Sequence, residues 1–298
     1  MIHLLRPSAS ERGVGAGRGL AGAVGLLVAL LLALLAGCQA RADETRLAAG
    51  QSLPPAAVAD TVRSARPAPL PDSLALTPVL PLPGLTPALR QAIGQLHDAL
   101  GPEAADLRPE VLTQACVGYL ALRQQDRAQS WGAVLAVADL DLPNTTPRLW
   151  VIDLKARKVL HRSLVAHGRG SGHLRARRFS GQLKSACSAL GFYRTLATYE
   201  GKNGLSRRLR GLDPGQNTTA EDRYVVLHGA DYAGPEYVAK YGHLGYSRGC
   251  PALPPRQYAA IIRALPAGRV LLLSGPGLAS RWLDGAAAGR RFAARGWE

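Results

Sequence analysis

Apolar residues change their spacing along the chain, and each change marks a different kind of segment. Leu20 to Ala36 is an unbroken run of Ala, Leu, Val and Gly without a charge. From Ala42 to about Thr86 no period is visible and proline recurs at 54, 55, 67, 69, 71, 78, 81 and 83, a composition that cannot assemble a packed core and reads as an extended tether. Helical spacing begins at Pro87, where Leu89, Ile93, Leu96 and Leu100 share one face, with Thr86 as N-cap and Pro87 in the first turn. A second helix is expected over Pro109 to Arg123, with Val111, Leu112, Ala115, Cys116, Tyr119 and Leu120 as its apolar stripe. On these helices His97 reads as a surface residue and Cys116 as a small buried one.

Near Trp131 the period shortens to that of a strand. Ala133 to Asp139, Arg148 to Leu154 and Val159 to Ala166 are short β-type runs, with turn signals at Pro143-Asn144 and over Lys155 to Lys158. Tyr224 to Leu227 and Arg269 to Leu273 have the same character, and Arg256 to Leu265 has the spacing of a short amphipathic helix. Strands without a regular strand–helix alternation predict a β-rich mixed α+β domain, not a doubly wound sheet. The expected organisation is a leader over 1–37, a Pro-rich tether over 38–85, a helical segment over 86–130 packing on the main domain, that domain over 131–277, and a loosely packed, basic Ala/Gly/Arg-rich tail over 278–298.

Composition adds a formal net charge of +15, which would attract a polyanion. The basic residues are scattered, however, and no nucleic-acid motif accompanies them, so nucleic acid is not an expected partner. Lys202, Arg207, Arg208 and Arg210 read as a solvated basic loop between Tyr199 and Leu212. Gly168-Arg169-Gly170-Ser171-Gly172 lacks the lysine of a phosphate-binding loop and precedes no helix; it is expected to be a mobile hairpin, and no cofactor is expected.

Candidate chemistry concentrates between Tyr224 and Pro254. The run Tyr224-Val225-Val226-Leu227 delivers His228 and Gly229 at its end, where a side chain leaves a strand and faces a cleft, and Ser247-Arg248-Gly249-Cys250-Pro251 follows. A thiol attacks as its thiolate, so a working cysteine needs a proton acceptor or cation beside it, and His228 can serve Cys250 in that way. Gly249 would let the backbone approach a carbonyl, with amides near Cys250 facing the oxyanion. Cys187 is the rival thiol, without a motif-paired histidine or a preceding glycine. A zinc site from His167, His228, His243 and Cys250 has the residue types but no preorganised spacing, so no metal is expected. With Cys250 free, Cys116–Cys187 is the one disulfide left open if Cys38 is modified.

Four blocks in order carry a resemblance: Arg148-Leu149-Trp150-Val151-Ile152-Asp153-Leu154; Leu164 to Gly172; Leu190-Gly191-Phe192-Tyr193; and His228-Gly229 with Gly249-Cys250-Pro251-Ala252-Leu253. Together they resemble the murein L,D-transpeptidase subfamily of YkuD-type catalytic domains, over roughly 105–275. The resemblance implies a sandwich-like mixed sheet with the N-terminal helices packed on it. It also implies a cysteine peptidyltransferase of peptidoglycan stem peptides that works through a thioester and forms 3-3 cross-links or a related transfer product. Cys250 would then be nucleophile and His228 base, with Ser247 and Gly249 completing the catalytic set. Arg248, Gly229, His243, His167, Ser188 and Tyr193 are the corresponding substrate-binding candidates. Arg248 stands where the commoner YkuD-type ending has histidine, and Pro251-Ala252 where it has polar or basic residues. If water replaces the acceptor amine, the same machinery is an L,D-carboxypeptidase; a wall-binding lipoprotein without turnover is the non-enzymatic alternative.

At the N-terminus Arg6, Arg12 and Arg18 precede the apolar run, and Leu35-Ala36-Gly37-Cys38 resembles a lipobox. This implies lipidation of Cys38 and attachment to a membrane at the periplasmic face of the envelope, with Gln39 implying the outer membrane of a Gram-negative cell. A retained membrane helix, or cleavage after Ala40-Arg41-Ala42, are the other readings of the same residues.

Overall fold

A computed structural model describes residues 75–79, 81–125 and 131–297. The leader, Cys38 and the tether as far as residue 74 lie outside the described residues. Eight strands form one mixed sheet: β1 (Val134–Asp139), β2 (Leu149–Asp153), β3 (Lys158–Ser163), β4 (Gly191–Gly201), β5 (Gly204–Gly211), β6 (Val226–Gly229), β7 (Ala252–Leu253) and β8 (Val270–Ser274), in the order β3-β2-β1-β8-β4-β5-β6-β7. Two neighbouring pairs, β1 with β8 and β6 with β7, are parallel. Beyond β3 the chain runs back to the opposite edge, where Ala166 and Ala252 exchange backbone hydrogen bonds of 2.8 and 3.3 Å. The sheet is therefore nearly closed, and its two-residue β7 is held from both sides. The β-rich mixed α+β class expected from the sequence is what the chain adopts.

The central strands are buried on both faces, so their alternation divides two cores. Leu135, Val137, Trp150, Ile152, Phe192, Val270 and Leu272 face the helices, while Ala136, Ala138, Leu149, Val151, Tyr193, Leu271 and Leu273 face the interior of the curved sheet. Against the first face lie α1 (Pro87–Leu100), α2 (Pro109–Gln125) and, from the end of the chain, α5 (Gly285–Arg295). The Thr86 hydroxyl caps α1 by accepting from the Leu89 amide at 3.3 Å, with Pro87 in the first turn. Helix α2 is buried nearly all round from Val111 to Leu122 because α1, α5 and the sheet enclose it. Gly118 makes this close approach possible, since a Cβ there would overlap the Phe192 ring.

Away from the cysteine cleft, three segments differ from the sequence-based expectation. The supposed basic loop is the hairpin β4–β5, turning at Lys202-Asn203, with Gly204 at φ 69°; the Asn-Gly signal and the flanking Thr, Tyr and Leu outweigh the charges. Arg207 is buried in it and donates to the Leu196 and Ile262 carbonyls at 2.7 and 3.1 Å. The tail is ordered: α5 starts on the Asp284 carboxylate, which accepts from the Ala287 amide at 2.9 Å, and buries Ala287 and Ala288 against α2 with Trp282 and Trp297 nearby. The end of the tether is also bound, as the Thr77 amide donates to Asp141 at 2.6 Å and Arg108 donates to the Thr77 carbonyl at 3.0 Å. Asp139 and Asp141, both fully buried, are neutralised by Arg108 and by Arg177. Among the described residues no helix is long and apolar enough to cross a membrane.

The α2–sheet contact gives a stability prediction. Gly118→Ala is expected to lower unfolding free energy by roughly 1–3 kcal/mol through overpacking against Phe192, measured by urea denaturation; an unchanged midpoint would contradict the close approach.

Candidate active site

Strand β6 is short and its two faces part company. Leu227 enters the inner core, while Val226 and His228, two residues apart and so on the same face, border an open cleft of about 740 Å³. The parallel register sets His228 beside Ala252, so Cys250, two residues earlier, falls alongside Val226 and borders the same cleft. The two residues singled out as nucleophile and base are thus brought to one cleft by a single strand pairing.

The turn that presents the thiol is braced by its own backbone. Ser247 is buried, and its hydroxyl donates to the Cys250 carbonyl at 2.6 Å and accepts from the Gly249 amide at 3.0 Å. Gly249 adopts φ 128°, and a Cβ there would stand 2.6 Å from the Cys187 carbonyl and 2.7 Å from the Arg223 guanidinium. Glycine is required on both grounds. Ser247 therefore shapes the turn, and its hydroxyl is directed to that backbone instead of to the imidazole. The imidazole is oriented by a carbonyl: His228 Nδ1 lies 2.9 Å from the Gly229 oxygen, which places the proton on Nδ1 and leaves Nε2 as the basic atom. Gly229 itself packs on the Tyr258 ring and lines a neighbouring pocket that shares Lys202 and Tyr232 with the cleft.

Electrostatics keep both partners neutral at rest. Burial lowers the His228 pKa below the ordinary value, with Lys202 acting in the same sense and the Gly229 hydrogen bond opposing it. Burial raises the Cys250 thiol, while the Val226 amide and the Arg223 charge pull it back. The thiol donates to the Tyr224 carbonyl at 3.6 Å. Arg223 was not evident from the sequence, although it directly precedes the β6 run. Its guanidinium donates to the Cys187 carbonyl at 2.6 Å and the Ser180 carbonyl at 2.8 Å, which fixes its charge next to the Gly249–Cys250 turn. Tyr232 was missed as well; burial first, and Cys250 second, push its phenol up to about 12. Arg248 is exposed on the cleft wall, in the company of Lys184, Lys202 and Arg223, so the wall is predominantly cationic.

Three expected substrate contacts are buried in the frame of the site, and a fourth, His243, lies off the cleft lining. His167 is fully buried: Arg148 donates to its Nδ1 at 2.7 Å, and its Nε2 donates to the Gly172 carbonyl at 3.3 Å. Tyr193 is a core residue whose hydroxyl donates to the Ala189 carbonyl at 2.8 Å. The buried Ser188 hydroxyl accepts from the Gly168 amide at 3.0 Å and reaches the Gly249 carbonyl at 3.5 Å, so it braces the cysteine turn from behind. His243 stacks on Tyr246 at 5.6 Å and donates to the Leu244 carbonyl at 2.6 Å; Tyr246, not His243, borders the cleft. The Gly168–Gly172 segment is likewise a buttress and no hairpin, with Arg169 donating to the Ser247 carbonyl and the Ser171 hydroxyl accepting from the Ser188 amide. Cys116, Cys187 and Cys250 are free thiols, with Cys187 buried. Among the described residues no three His, Cys, Asp or Glu side chains group as metal ligands.

Arg148 is the buried hub behind this arrangement. Its five N–H groups all find acceptors, on Leu140, Leu142, Val165 and His167, which ties the β1–β2 connection to the segment that hydrogen-bonds β7.

A family model described as the L,D-transpeptidase catalytic domain matches residues 103–273. No curated protein matches. Among solved structures, an L,D-transpeptidase from Mycobacterium smegmatis is 19% identical, over 48% of this chain and 59% of its own, with a TM-score of 0.30. An L,D-transpeptidase from Stackebrandtia nassauensis is 12% identical over 68% of this chain and 100% of its own, with a TM-score of 0.30. The helical cell shape determining protein Pgp2 from Campylobacter jejuni, as a K307A mutant, is 13% identical over 59% of this chain and 63% of its own, with a TM-score of 0.31. The chain thus spans less than two-thirds of the mycobacterial and Campylobacter proteins, and structural likeness at these scores carries no argument about activity.

Acid should expose the role of His167. Burial and Arg148 lower its pKa to about 3 from an ordinary 6.5, so the unfolded chain takes up a proton below 6.5 that the folded chain refuses until about 3. Its contribution is complete above pH 6.5 and is lost as pH falls, at about 1.4 kcal/mol per pH unit. Urea titrations between about pH 6 and 4 are expected to show a slope shallower by that amount in His167→Gln; equal slopes would refute the assignment.

Proposed function

Because the chain belongs to the L,D-transpeptidase catalytic domain family, we propose that it is a cysteine peptidyltransferase acting on peptidoglycan stem peptides, with Cys250 as nucleophile and His228 as general base. The observation that carries this reading is the shared cleft: Cys250 and His228 border one open space, and Nε2 of His228 is left basic by the Nδ1 contact to the Gly229 carbonyl. On substrate binding the thiol turns from the Tyr224 carbonyl to His228, which takes its proton as the sulfur attacks the carbonyl of the third stem residue. The proton then passes to the departing amine of the terminal D-alanine, leaving a thioester. An amine from a second stem resolves it to a 3-3 cross-link, and water would give the L,D-carboxypeptidase product instead.

Arg223 supports the same chemistry, since a fixed guanidinium next to the turn favours the thiolate over the thiol. Arg248 and Lys202 are proposed to receive the peptide's carboxylates, as flexible charges on the cleft wall. The proposal includes lipidation of Cys38 and attachment at the periplasmic face of the outer membrane, with the proline-rich stretch as spacer; absence of labelled acyl chain on a Cys38→Ala chain, against its presence on the natural one, tests that part.

With a disaccharide tetrapeptide, mass spectrometry is expected to show loss of alanine and formation of dimers. Cys250→Ala should abolish both, Cys187→Ala should retain them, and His228→Gln should lower kcat/KM by about 10²–10⁴-fold. Activity requires neutral His228, so the acid limb of kcat/KM should have its midpoint below 6.5. Full turnover by Cys250→Ala would end the proposal.

A further inference from the structure

Among the described residues the large apolar side chains left in solvent are unevenly placed. Leu183, Tyr199 and Tyr224, exposed to 64, 37 and 80%, all border the cysteine cleft, and only Leu76 and Tyr241 are exposed elsewhere. Tyr199 and Tyr224 also wall a smaller pocket of about 160 Å³ that shares them, and Val226, with the cleft. Two charged groups complete it. The Arg208 guanidinium lies over the Tyr199 ring at 5.0 Å, and the Glu221 carboxylate is held by Arg210 at 2.6 and 3.3 Å.

Tyr224 is the informative residue. It closes a helical turn in the left-handed region, at φ 53°, with its amide bonded to Glu221 and the following amide reaching the Ala220 carbonyl at 2.9 Å. Glycine or asparagine usually takes this position, because a Cβ is disfavoured there. A tyrosine whose ring stays in water returns little packing for that strain, which points to a ligand for the ring.

The pocket's chemistry selects among ligand classes. A peptide strand would need a free sheet edge, yet Arg208 and Arg207 are already paired with Val226 and Leu227. A polyanion would meet the Glu221 carboxylate. Two aromatic faces flanked by a guanidinium and a carboxylate suit a neutral ring with axial C–H groups and equatorial hydroxyl or amide substituents. We propose that this pocket binds a pyranose ring of the glycan strand from which the stem peptide hangs, Tyr199 and Tyr224 packing on the sugar and Arg208 and Glu221 bonding its substituents. Its placement relative to the scissile bond rests on the peptidyltransferase reading above, whereas the sugar site rests on its own residues.

The test uses the full chain, with a peptide-free β-1,4-linked N-acetylglucosamine oligomer as binding probe and the stem tetrapeptide with and without its disaccharide as substrates. The oligomer is expected to bind, and the disaccharide form to have a KM roughly ten-fold below that of the bare peptide. Tyr199→Ala, and Tyr224→Asn, which keeps the left-handed backbone, should each weaken oligomer binding and remove that KM advantage. Failure of the oligomer to bind, or equal KM values for the two substrates, would overturn the proposal. So would variants that raise both KM values alike, since the pocket would then hold peptide. Oligomer binding lost in Tyr199→Ala, in a chain that turns over neither substrate, would sustain the sugar site while removing the peptidyltransferase reading.

Discussion

The pairing of β6 with β7 is the constraint from which the cleft follows. Strand β7 has only Ala252 and Leu253, too few to define a register alone, and it is fixed because Ala166 hydrogen-bonds it from one side while His228 and Gly229 pair with it from the other. A slip of β7 by one residue against β6, which β5 holds in place, would turn Cys250 from the cleft face to the core face. Arg148, Ser188, Ser247 and the Gly168–Gly172 segment are bonded to the segments that flank that short strand. Residues that resemble substrate contacts by type are instead the frame of the site.

This division separates two kinds of histidine. His167 is locked between Arg148 and a carbonyl, with no lone pair to offer, and burial beside a guanidinium keeps it neutral. His228 has one nitrogen tied down and the other left over the cleft. Burial depresses the basicity of His228 and raises the Cys250 thiol, so the resting pair is uncharged, with the Arg223 charge opposing the shift at the thiol. A neutral resting thiol is also less open to oxidation than a standing thiolate.

Much of the fold was legible because period-two and helical spacings are strong where one face is buried. β1, β2, β3 and β8 lie within a few residues of the expected runs, as do α1, α2 and α4 (Tyr258–Ala264). The hairpin β4–β5 was hidden by its arginines, one of which is buried by donating to carbonyls distant in the chain, and α3 (Pro235–Tyr241) by its glycine and tyrosine neighbours. At the site, the motif chemistry singled out Cys250, Gly249 and His228, and the fold brings Cys250 and His228 to one cleft. The burial of His167, Ser188 and Tyr193 was not legible, because it depends on partners such as Arg148 and Gly249 that meet them only in the fold. Arg223 had no signal beyond its place before β6. The Schellman-type turn at 218–224 likewise appears only in the fold, and it places Tyr224 in the left-handed region.

The central claim is that the fold delivers one particular thiol to a peptide carbonyl. Its most direct measurement is to quench the full chain during reaction with a stem tetrapeptide, measure intact mass, and locate the adduct by digestion. The account predicts an acyl group equal to the substrate less its terminal D-alanine, on Cys250 and labile to hydroxylamine as a thioester is. An acyl group found on Cys187, or none under conditions in which alanine is released, would contradict it.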